Sequence, residues 1–260
     1  MKRVHIIGPP RSGTTLMLEL MTTCFQFSCF SKKEVSLLEP LQGLPSQGSL
    51  CTKNPQDHRL VSSILPADEN QWFISMVRDP RDIVVSRHGL KPDAYWANLN
   101  QWRCWLENTR GFHTHPRLVE VRYEELVARP DKVQETLAAQ LDFLPATKRF
   151  SNYDQFASPS QQSLAAMRSI RKITGDSIGN WKKHLPRLAG QIEIHGSIAE
   201  ELIGLGYEDN DLWMADIKTV EPDLSPGHWP EFPSPTRLAT VERELLEQLP
   251  LYLKSRGLLN

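Results

Sequence analysis

The chain has 260 residues, with 30 Lys and Arg against 31 Asp and Glu, which gives a formal net charge of −1. This length predicts one large domain, or one domain with an appendage, whose core needs neither disulfides nor a metal. The near-neutral charge argues against a generally basic nucleic-acid-binding protein, so a strongly anionic ligand must be met by basic residues that cluster locally.

The cysteines and the apolar runs indicate the compartment. The four cysteines form no CxxC pair and no spacing typical of zinc, so we expect free thiols in a reducing environment and no metal site. No run approaches the ~20 apolar residues of a membrane span. A strand begins at Arg3, which leaves no room for a signal peptide. We therefore expect a cytoplasmic protein without a membrane span; its oligomeric state is not readable.

The chain opens with a strand, a glycine-containing loop and a helix. The apolar run 4–7 stops at Gly8 and predicts a buried parallel strand, and residues 14–24 have apolar positions at helical spacing. This order is typical of an α/β nucleotide-binding fold. Residues 40–50, rich in Pro, Gly, Ser and Gln, predict an exposed loop, and a short helix is expected over 58–65.

Further elements alternate along the chain. Strands are predicted at 72–77 and 118–121. Asp79 as cap and Pro80 in the first turn predict a helix to about residue 89. The next predicted helix, 94–110, has a core-facing stripe that includes Trp96 and Trp102. Helices are also expected at 131–141, 188–203 and 236–254, with a polar irregular stretch at 150–180 and a proline-rich arm at 222–235.

The loop from Gly8 to Thr15 reads G-x-x-x-x-G-T-T, which has the spacing of the phosphate-binding loop G-x-x-x-x-G-K-[ST]. Backbone N–H groups of such a loop and the N-terminus of the following helix bind one anion. Here Thr14 replaces the lysine that reaches the β- and γ-phosphates, and Arg11 adds a cation inside the loop. The pattern favours an adenosine 5′-phosphosulfate over ATP or GTP, with no obligatory Mg²⁺.

Arg78 marks a second anion site, because it follows the strand 72–77 and ligands of open α/β sheets bind at the carboxyl ends of strands. A guanidinium fork together with the Ser86 hydroxyl suits a 3′-phosphate. The alternative is an ion pair with Asp79 that caps the helix. We expect Arg81 and Arg87 to be solvated. Three further cations form either a third anion clamp or a solvent-facing cluster: Arg168, Arg171 and Lys172.

Five segments, in this order, resemble the motifs of one enzyme family. They are PRSGTT (10–15), CTKNP (51–55), MVRDPRD (76–82) with Ser86, VRYEEL (121–126) and SIGNWK (177–182). The series is similar to the P-loop-like sulfotransferases that use 3′-phosphoadenosine 5′-phosphosulfate, especially the branch with tyrosylprotein sulfotransferases and many bacterial enzymes. The resemblance spans residues 5 to about 185, and nothing beyond about 207 matches.

The resemblance implies an α/β three-layer sandwich with a central parallel sheet and a P-loop-like 5′-phosphosulfate-binding loop. We expect a sulfotransferase domain over 1–207, with an arm and amphipathic helix, 208–260, that pack on it. The donor-binding residues implied are Pro10, Arg11, Ser12, Gly13, Thr14 and Thr15 of the loop, Arg78 and Ser86, Tyr123 near the adenine, and Ser177, Ile178, Gly179, Trp181 and Lys182 of the closing segment.

The resemblance also suggests catalytic roles. Lys53 would act on the bridging oxygen or the sulfuryl group, and Arg11 on the 5′-phosphate and sulfuryl oxygens. The histidine that follows the lysine segment in cytosolic small-molecule sulfotransferases is absent, but the tyrosylprotein branch uses a glutamate downstream of the first helix. Glu34 is therefore the first candidate for the base, Glu39 the second and His58 the third.

The expected function is metal-independent sulfuryl transfer to a hydroxyl acceptor: a carbohydrate, a lipid, a small alcohol or phenol, or a peptide tyrosine. One alternative is a nucleoside or metabolite kinase, against which Thr14 argues; the other is a non-catalytic nucleotide-binding relative. Trp213, Trp229 and Phe232 are expected to pack on the domain, with an acceptor wall or a dimer contact as the alternative.

Overall fold

The structure is a computed structural model that describes residues 1–39 and 47–259. The strands, in chain order, are β1 (Lys2–Ile7), β2 (Cys29–Glu34), β3 (Ser49–Lys53), β4 (Gln71–Val77), β5 (Arg87–His88), β6 (Lys91–Tyr95) and β7 (Leu118–Arg122). Five of them form one parallel sheet in the order β2-β3-β1-β4-β7, and β5 pairs with β6 as a separate antiparallel hairpin.

Helices cover both faces of the sheet. They are α1 (Thr14–Cys24), α2 (Val61–Ile64), α3 (Pro80–Val84), α4 (Leu99–Thr109), α5 (Tyr123–Ala128), α6 (Pro130–Gln140), α7 (Gln161–Met167), α8 (Leu185–His195), α9 (Ala199–Gly204), α10 (Ala215–Lys218) and α11 (Pro235–Ser255). Short 3₁₀ turns cover Pro55–Leu60, Arg110–Phe112, Phe150–Gln155, Asn180–Lys183 and Leu212–Met214.

The central strands are apolar on both sides because both sides are covered. On one face Met17 and Met21 of α1 pack with Leu137 of α6 against the sheet. The other face carries two further cores, one centred on Trp102 and Trp105 of α4 and the other on the α2 region. Continuous apolar strands are what a doubly covered parallel sheet requires. The predicted α/β three-layer architecture is confirmed.

The predicted helix over 80–89 ends early, at Val84. The carbonyl of Ser86 instead accepts a hydrogen bond from the backbone N–H of Trp96 at 3.0 Å, which turns the chain into the β5–β6 hairpin. Tertiary pairing overrides a weak local helix preference here. Ser86 therefore lies after the helix, not on it.

The predicted helix over 94–110 begins late, at Leu99. Asn98 caps α4 through a capping box with Gln101, a pattern that was present in the sequence and marks a helix start. The placement of Trp96 on a helical core stripe was wrong, because Trp96 follows strand β6 and packs against histidines instead.

Three other segments differ from expectation. The single helix predicted over 188–203 is two helices, because α8 ends at His195 and is capped by Gly196, whose φ of 82° suits a glycine. Cys29–Glu34, for which the sequence predicted no strand, forms edge strand β2. Residues 49–50 of the expected exposed loop are buried in β3, and 40–46 lie outside the described residues.

The C-terminal region is docked on the rest of the molecule. The backbone of Asp223 bonds the Pro186 carbonyl at 2.9 Å, so the arm lies along α8. The final helix α11, predicted at 236–254 and observed at Pro235–Ser255, reaches back to the start of the chain. Tyr252 and Arg256 both bond the Asp68 carboxylate, at 2.8 and 2.7 Å. Within the described ranges, no helix has the length and apolarity needed to cross a bilayer.

Candidate active site

The loop between β1 and α1 has a strained backbone. Gly13 adopts φ 98°, and a Cβ there would lie 2.7 Å from the Tyr123 ring. Gly8 is equally confined, because a Cβ would approach the Met76 carbonyl to 2.9 Å. Arg11 adopts φ 69°, a left-handed conformation that a side-chain-bearing residue seldom takes and that clusters at functional sites. The loop thus connects the carboxyl end of β1 to the N-terminus of α1.

Arg11 points from this loop towards the hairpin. Its Nε donates to the Ser86 hydroxyl at 3.0 Å. One Nη lies 3.5 Å from the carbonyl of Ala166, in the last turn of α7. Desolvation, followed by the positive charges of Arg78 and Arg168, lowers the pKa of Arg11 to about 10. The group stays protonated near neutral pH, but its surroundings favour a bound anion.

Arg78 lies at the carboxyl end of β4, beside the loop. Its guanidinium donates to the Arg11 carbonyl at 2.8 Å and to the Ser177 carbonyl at 2.9 Å, and stacks 4.2 Å from the Tyr123 ring centre. Tyr123 and Ser177 share a hydrogen bond of 2.7 Å between their hydroxyls. The expected alternative, an Arg78–Asp79 ion pair, is not what forms: Asp79 caps α3 and pairs with Arg81.

These side chains line a cleft of about 580 Å³ at the carboxyl edge of the sheet. The loop, β4, α5 and the segment after α7 contribute its walls. The cluster that the sequence left open between anion clamp and solvent lines this cleft; its members are Arg168, Arg171 and Lys172. The structure therefore collects several cations around one cleft in a chain whose net charge is nearly zero.

Lys53 and Glu34 meet at the ends of β3 and β2. The Lys53 ammonium lies 2.6 Å from the Glu34 carboxylate and donates to the Thr15 hydroxyl at 3.1 Å. The Lys53 side chain is 5% exposed, whereas that of Glu34 is 44% exposed. Burial lowers the pKa of Lys53, and the Glu34 carboxylate only partly offsets this. The pair presents a buried cation and an accessible carboxylate next to the phosphate-binding loop.

The segment that contains Gly179 and Trp181 is held by Asp82, which the sequence analysis did not single out. The Asp82 carboxylate accepts the backbone N–H groups of Gly179 at 2.8 Å and Trp181 at 3.0 Å. The side chains of Ile178 and Lys182 are exposed. No local pattern reveals this role, because Asp82 and the N–H groups that it accepts are 97 and 99 residues apart.

The two lower-ranked candidates for the base lie elsewhere. Glu39 lines a separate cavity with Met1 and Arg256, near the amino ends of β1 and β3. His58 lies in the 3₁₀ turn after β3, and burial, with the charge of Arg59 next, lowers its pKa to about 4. Among the described residues, Lys53 forms an ion pair with Glu34 and with neither of these two side chains.

The expectation that Arg81 is solvated was wrong. Its guanidinium is buried between the rings of Trp181 and Trp213, at 4.4 and 4.9 Å from their centres, and pairs with Asp79 and Glu208. Trp213 thus packs on the domain, one of the two readings of the tail aromatics. Arg87 is half-buried and lines the cleft.

Comparison with known proteins places this geometry in a family. The profile of the sulfotransferase domain family matches residues 1–202. The sulfotransferase domain of the Synechococcus PCC 7002 olefin synthase superposes with a TM-score of 0.52 at 16% identity, over 70% of this chain and 87% of that domain. The sulfotransferase domain from the curacin biosynthetic pathway gives 0.52 at 17% identity, over 70% and 90%. Curated proteins give no significant match. The solved structures are similar in fold, and the family match, which covers most of the chain, shows that this protein belongs to the sulfotransferase domain family.

Proposed function

We propose that the protein transfers a sulfuryl group from 3′-phosphoadenosine 5′-phosphosulfate to a hydroxyl acceptor. The observation that carries the proposal is the pair of cationic anchors, Arg11 in the loop and Arg78 at the end of β4, which lie next to each other at one edge of the sheet. A donor with a 5′-phosphosulfate and a 3′-phosphate has two anionic groups for these two anchors, whereas ATP has none at its 3′ position.

Unsatisfied polar atoms support the fit. Among the described residues, the buried Nε of Arg78 and the buried hydroxyl of Ser12 have no hydrogen-bond partner. Buried polar groups are normally paired, and Arg78 lines the cleft, so its unpaired Nε favours a polar ligand there. Arg78 also donates to backbone carbonyls, bonds that phosphate oxygens can replace more strongly because they are charged.

Each proposed binding residue has a defined position. The loop residues 10–15 surround the 5′-phosphosulfate; residues 11–15 present N–H groups, Ser12, Thr14 and Thr15 present hydroxyls, and Arg11 lies beside its oxygens. Arg78 holds the 3′-phosphate. Ser86, which we also expected on that phosphate, bonds Arg11 here and so joins the two anchors. The ring of Tyr123 lies against Arg78 and lines the cleft where the adenine would stack.

The donor, when bound, supplies the sulfuryl group and leaves as adenosine 3′,5′-bisphosphate. Glu34 accepts the proton of the acceptor hydroxyl as the acceptor oxygen bonds to sulfur and the bond from sulfur to the phosphate oxygen breaks. Lys53 and Arg11 stabilise the negative charge that grows on the leaving phosphate, which one well-placed donor achieves by about 3–4 kcal/mol. The acceptor must approach in line from the Glu34 side.

The proposal is tested with Arg78→Lys. A lysine keeps the charge but loses the fork, so we expect adenosine 3′,5′-bisphosphate to bind about tenfold more weakly, while AMP, which lacks the 3′-phosphate, changes less than about twofold. Calorimetry without Mg²⁺ measures both dissociation constants. Arg129→Lys, at an exposed position, is the matched control. Mg²⁺-dependent ATP binding with no bisphosphate binding would instead support the kinase.

A further inference from the structure

A ring stack adjoins the candidate site. The rings of His88 and Trp96 stack at 4.2 Å between centres, and Trp96 stacks on His228 at 4.0 Å with an interplanar angle of 15°. Trp229 meets the His228 ring edge-on at 4.9 Å. We call the three stacked rings, His88, Trp96 and His228, the ring wall. They come from the β5–β6 hairpin and from the C-terminal arm, which lies beyond the family match at residue 202.

The ring wall is joined to the reaction centre. The Ser86 hydroxyl accepts from Arg11, and the Ser86 carbonyl accepts from the backbone of Trp96. Ser86 and Arg87, which precede His88 in the chain, line the cleft that contains Arg11 and Arg78. The ring wall therefore adjoins the donor anchors through the start of the hairpin.

The arm is fixed where it supplies His228. Its backbone N–H donates to the Tyr95 carbonyl at 2.8 Å, which extends the hairpin by one bond. Three residues further on, Glu231 accepts from His195 at 2.8 Å and Gln191 at 3.0 Å, both on α8. A surface whose side chains are held by such bonds is preorganised for a ligand.

The ring wall is aromatic, and its His88 ring is neutral. Desolvation, and then the positive charge of Arg11, lowers the pKa of His88 to about 4, so the ring is uncharged near neutral pH. Its Nδ1 accepts from the backbone N–H of Leu90 at 3.1 Å, which leaves the proton on Nε2. Trp96 stacks with both histidines, so a further flat ring would stack on a histidine at the end of the stack.

The base also favours a ring-borne hydroxyl of high acidity. A carboxylate such as that of Glu34 is a weak base, and a phenolic hydroxyl, with a pKa of about 10, yields its proton to it far more readily than an aliphatic alcohol does.

Resting on the function proposed above, we propose that the ring wall of His88, Trp96 and His228 binds the acceptor, that the acceptor is an aromatic alcohol, and that the C-terminal arm thereby takes part in acceptor selection. The family match ends before the arm, so this selectivity belongs to a region that the shared fold does not define.

The test uses full-length protein saturated with adenosine 3′,5′-bisphosphate and two matched probes, 2-naphthol and its saturated counterpart decahydro-2-naphthol. Calorimetry should show naphthol binding at least about tenfold tighter than the saturated alcohol. Trp96→Ala should weaken naphthol binding by about tenfold and His228→Ala by about fivefold, while His228→Phe, which keeps a stacked ring, should restore it. Leu224→Ala, at an exposed arm position, should change it less than about twofold.

Two results overturn the ring wall: equal affinity for the two probes in the wild type, or unchanged naphthol affinity in both Trp96→Ala and His228→Ala. Bisphosphate binding is measured separately in every variant. A wild type that binds no bisphosphate refutes the proposed sulfuryl transfer itself, whereas one that binds bisphosphate but not naphthol refutes only the aromatic acceptor.

Discussion

At the residue scale, the site concentrates positive charge where water is scarce. Arg11, Arg78 and Lys53 approach one another around the loop, and desolvation lowers the pKa values of Arg11 and Lys53. Desolvated like charges are costly until an anion arrives, and the same low polarity then strengthens their attraction for it. Glu34 is the one carboxylate that bonds Lys53 among the described residues. Glu34 therefore has two proposed roles: it pairs with the Lys53 ammonium, and it accepts the proton of the acceptor.

Glu34→Gln separates these functions. The amide keeps a hydrogen-bond acceptor for Lys53 but cannot take a proton, so we expect the turnover number to fall about 100-fold or more, the range of general-base catalysis. The dissociation constant of adenosine 3′,5′-bisphosphate should change less than about threefold, because the anchors Arg11 and Arg78 are intact. Single-turnover kinetics and calorimetry measure the two quantities.

Glu39→Gln is the matched control for this variant, since Glu39 lines a different cavity. Its turnover should equal that of the wild type. Full activity in Glu34→Gln would remove Glu34 from the mechanism, and loss of activity only in Glu39→Gln would reverse the assignment.

At the element scale, the site lies where several strands end and is closed by one segment. The carboxyl ends of β1, β3 and β4 contribute the loop, Lys53 and Arg78. The closing segment, 177–183, is not part of the sheet and depends on a few bonds. Asp82 holds two of its backbone N–H groups, and Tyr123 holds Ser177. Such a segment opens at lower free energy than the core.

Asp82→Ala should loosen this closure. The substitution leaves the N–H groups of Gly179 and Trp181 without acceptors, each costing about 1–3 kcal/mol if they stay buried, so the segment detaches instead. We expect the affinity for adenosine 3′,5′-bisphosphate to fall about tenfold and amide hydrogen exchange over 177–183 to speed up. Asp176→Ala, an exposed position on the same stretch, serves as control. Unchanged exchange in Asp82→Ala would show that the segment is held by other contacts.

At the scale of the whole molecule, the C-terminal region ties distant parts together. The arm follows α8 to the hairpin, and α11 returns to the N-terminus, where Arg256 bonds both Asp68 and the Met1 carbonyl. Asp68 is 1% exposed and accepts from Tyr252 as well. Burial alone would raise the pKa of Asp68, but the hydrogen bonds from Arg256 and Tyr252 outweigh it and lower the pKa.

Asp68→Asn should therefore lower the free energy of unfolding near neutral pH by about 3 kcal/mol, as loss of one partner of a buried ion pair does. Because the folded-state pKa is lowered, the stabilisation is present above the ordinary carboxyl pKa of about 3.9 and is lost as the pH falls through the folded value. The gap between wild type and variant should narrow below about pH 4. Urea unfolding at several pH values measures it, with the exposed Asp209→Asn as control; a gap independent of pH would contradict the assignment.

The sequence by itself determined what is local. The loop Gly8–Thr15, helix α1, strands β1, β4 and β7, the Asp79 cap and helix α11 follow from spacing, apolar runs and capping residues, and these suffice for the α/β class and for the motif series of the family. These features depend on interactions between residues that are close in the chain, so a short stretch of sequence is enough to predict them.

The tertiary structure alone decided what joins distant stretches. Ser86 and Trp96 leave their predicted helices because they pair with each other, Asp82 reaches the closing segment, and Arg81 is buried between two tryptophans. The choice of Glu34 over Glu39 likewise depends on β2 lying beside β3, a pairing that the polar edge-strand sequence does not indicate. Long-range pairing is set by the packing of the whole core, and no periodicity within one segment records it.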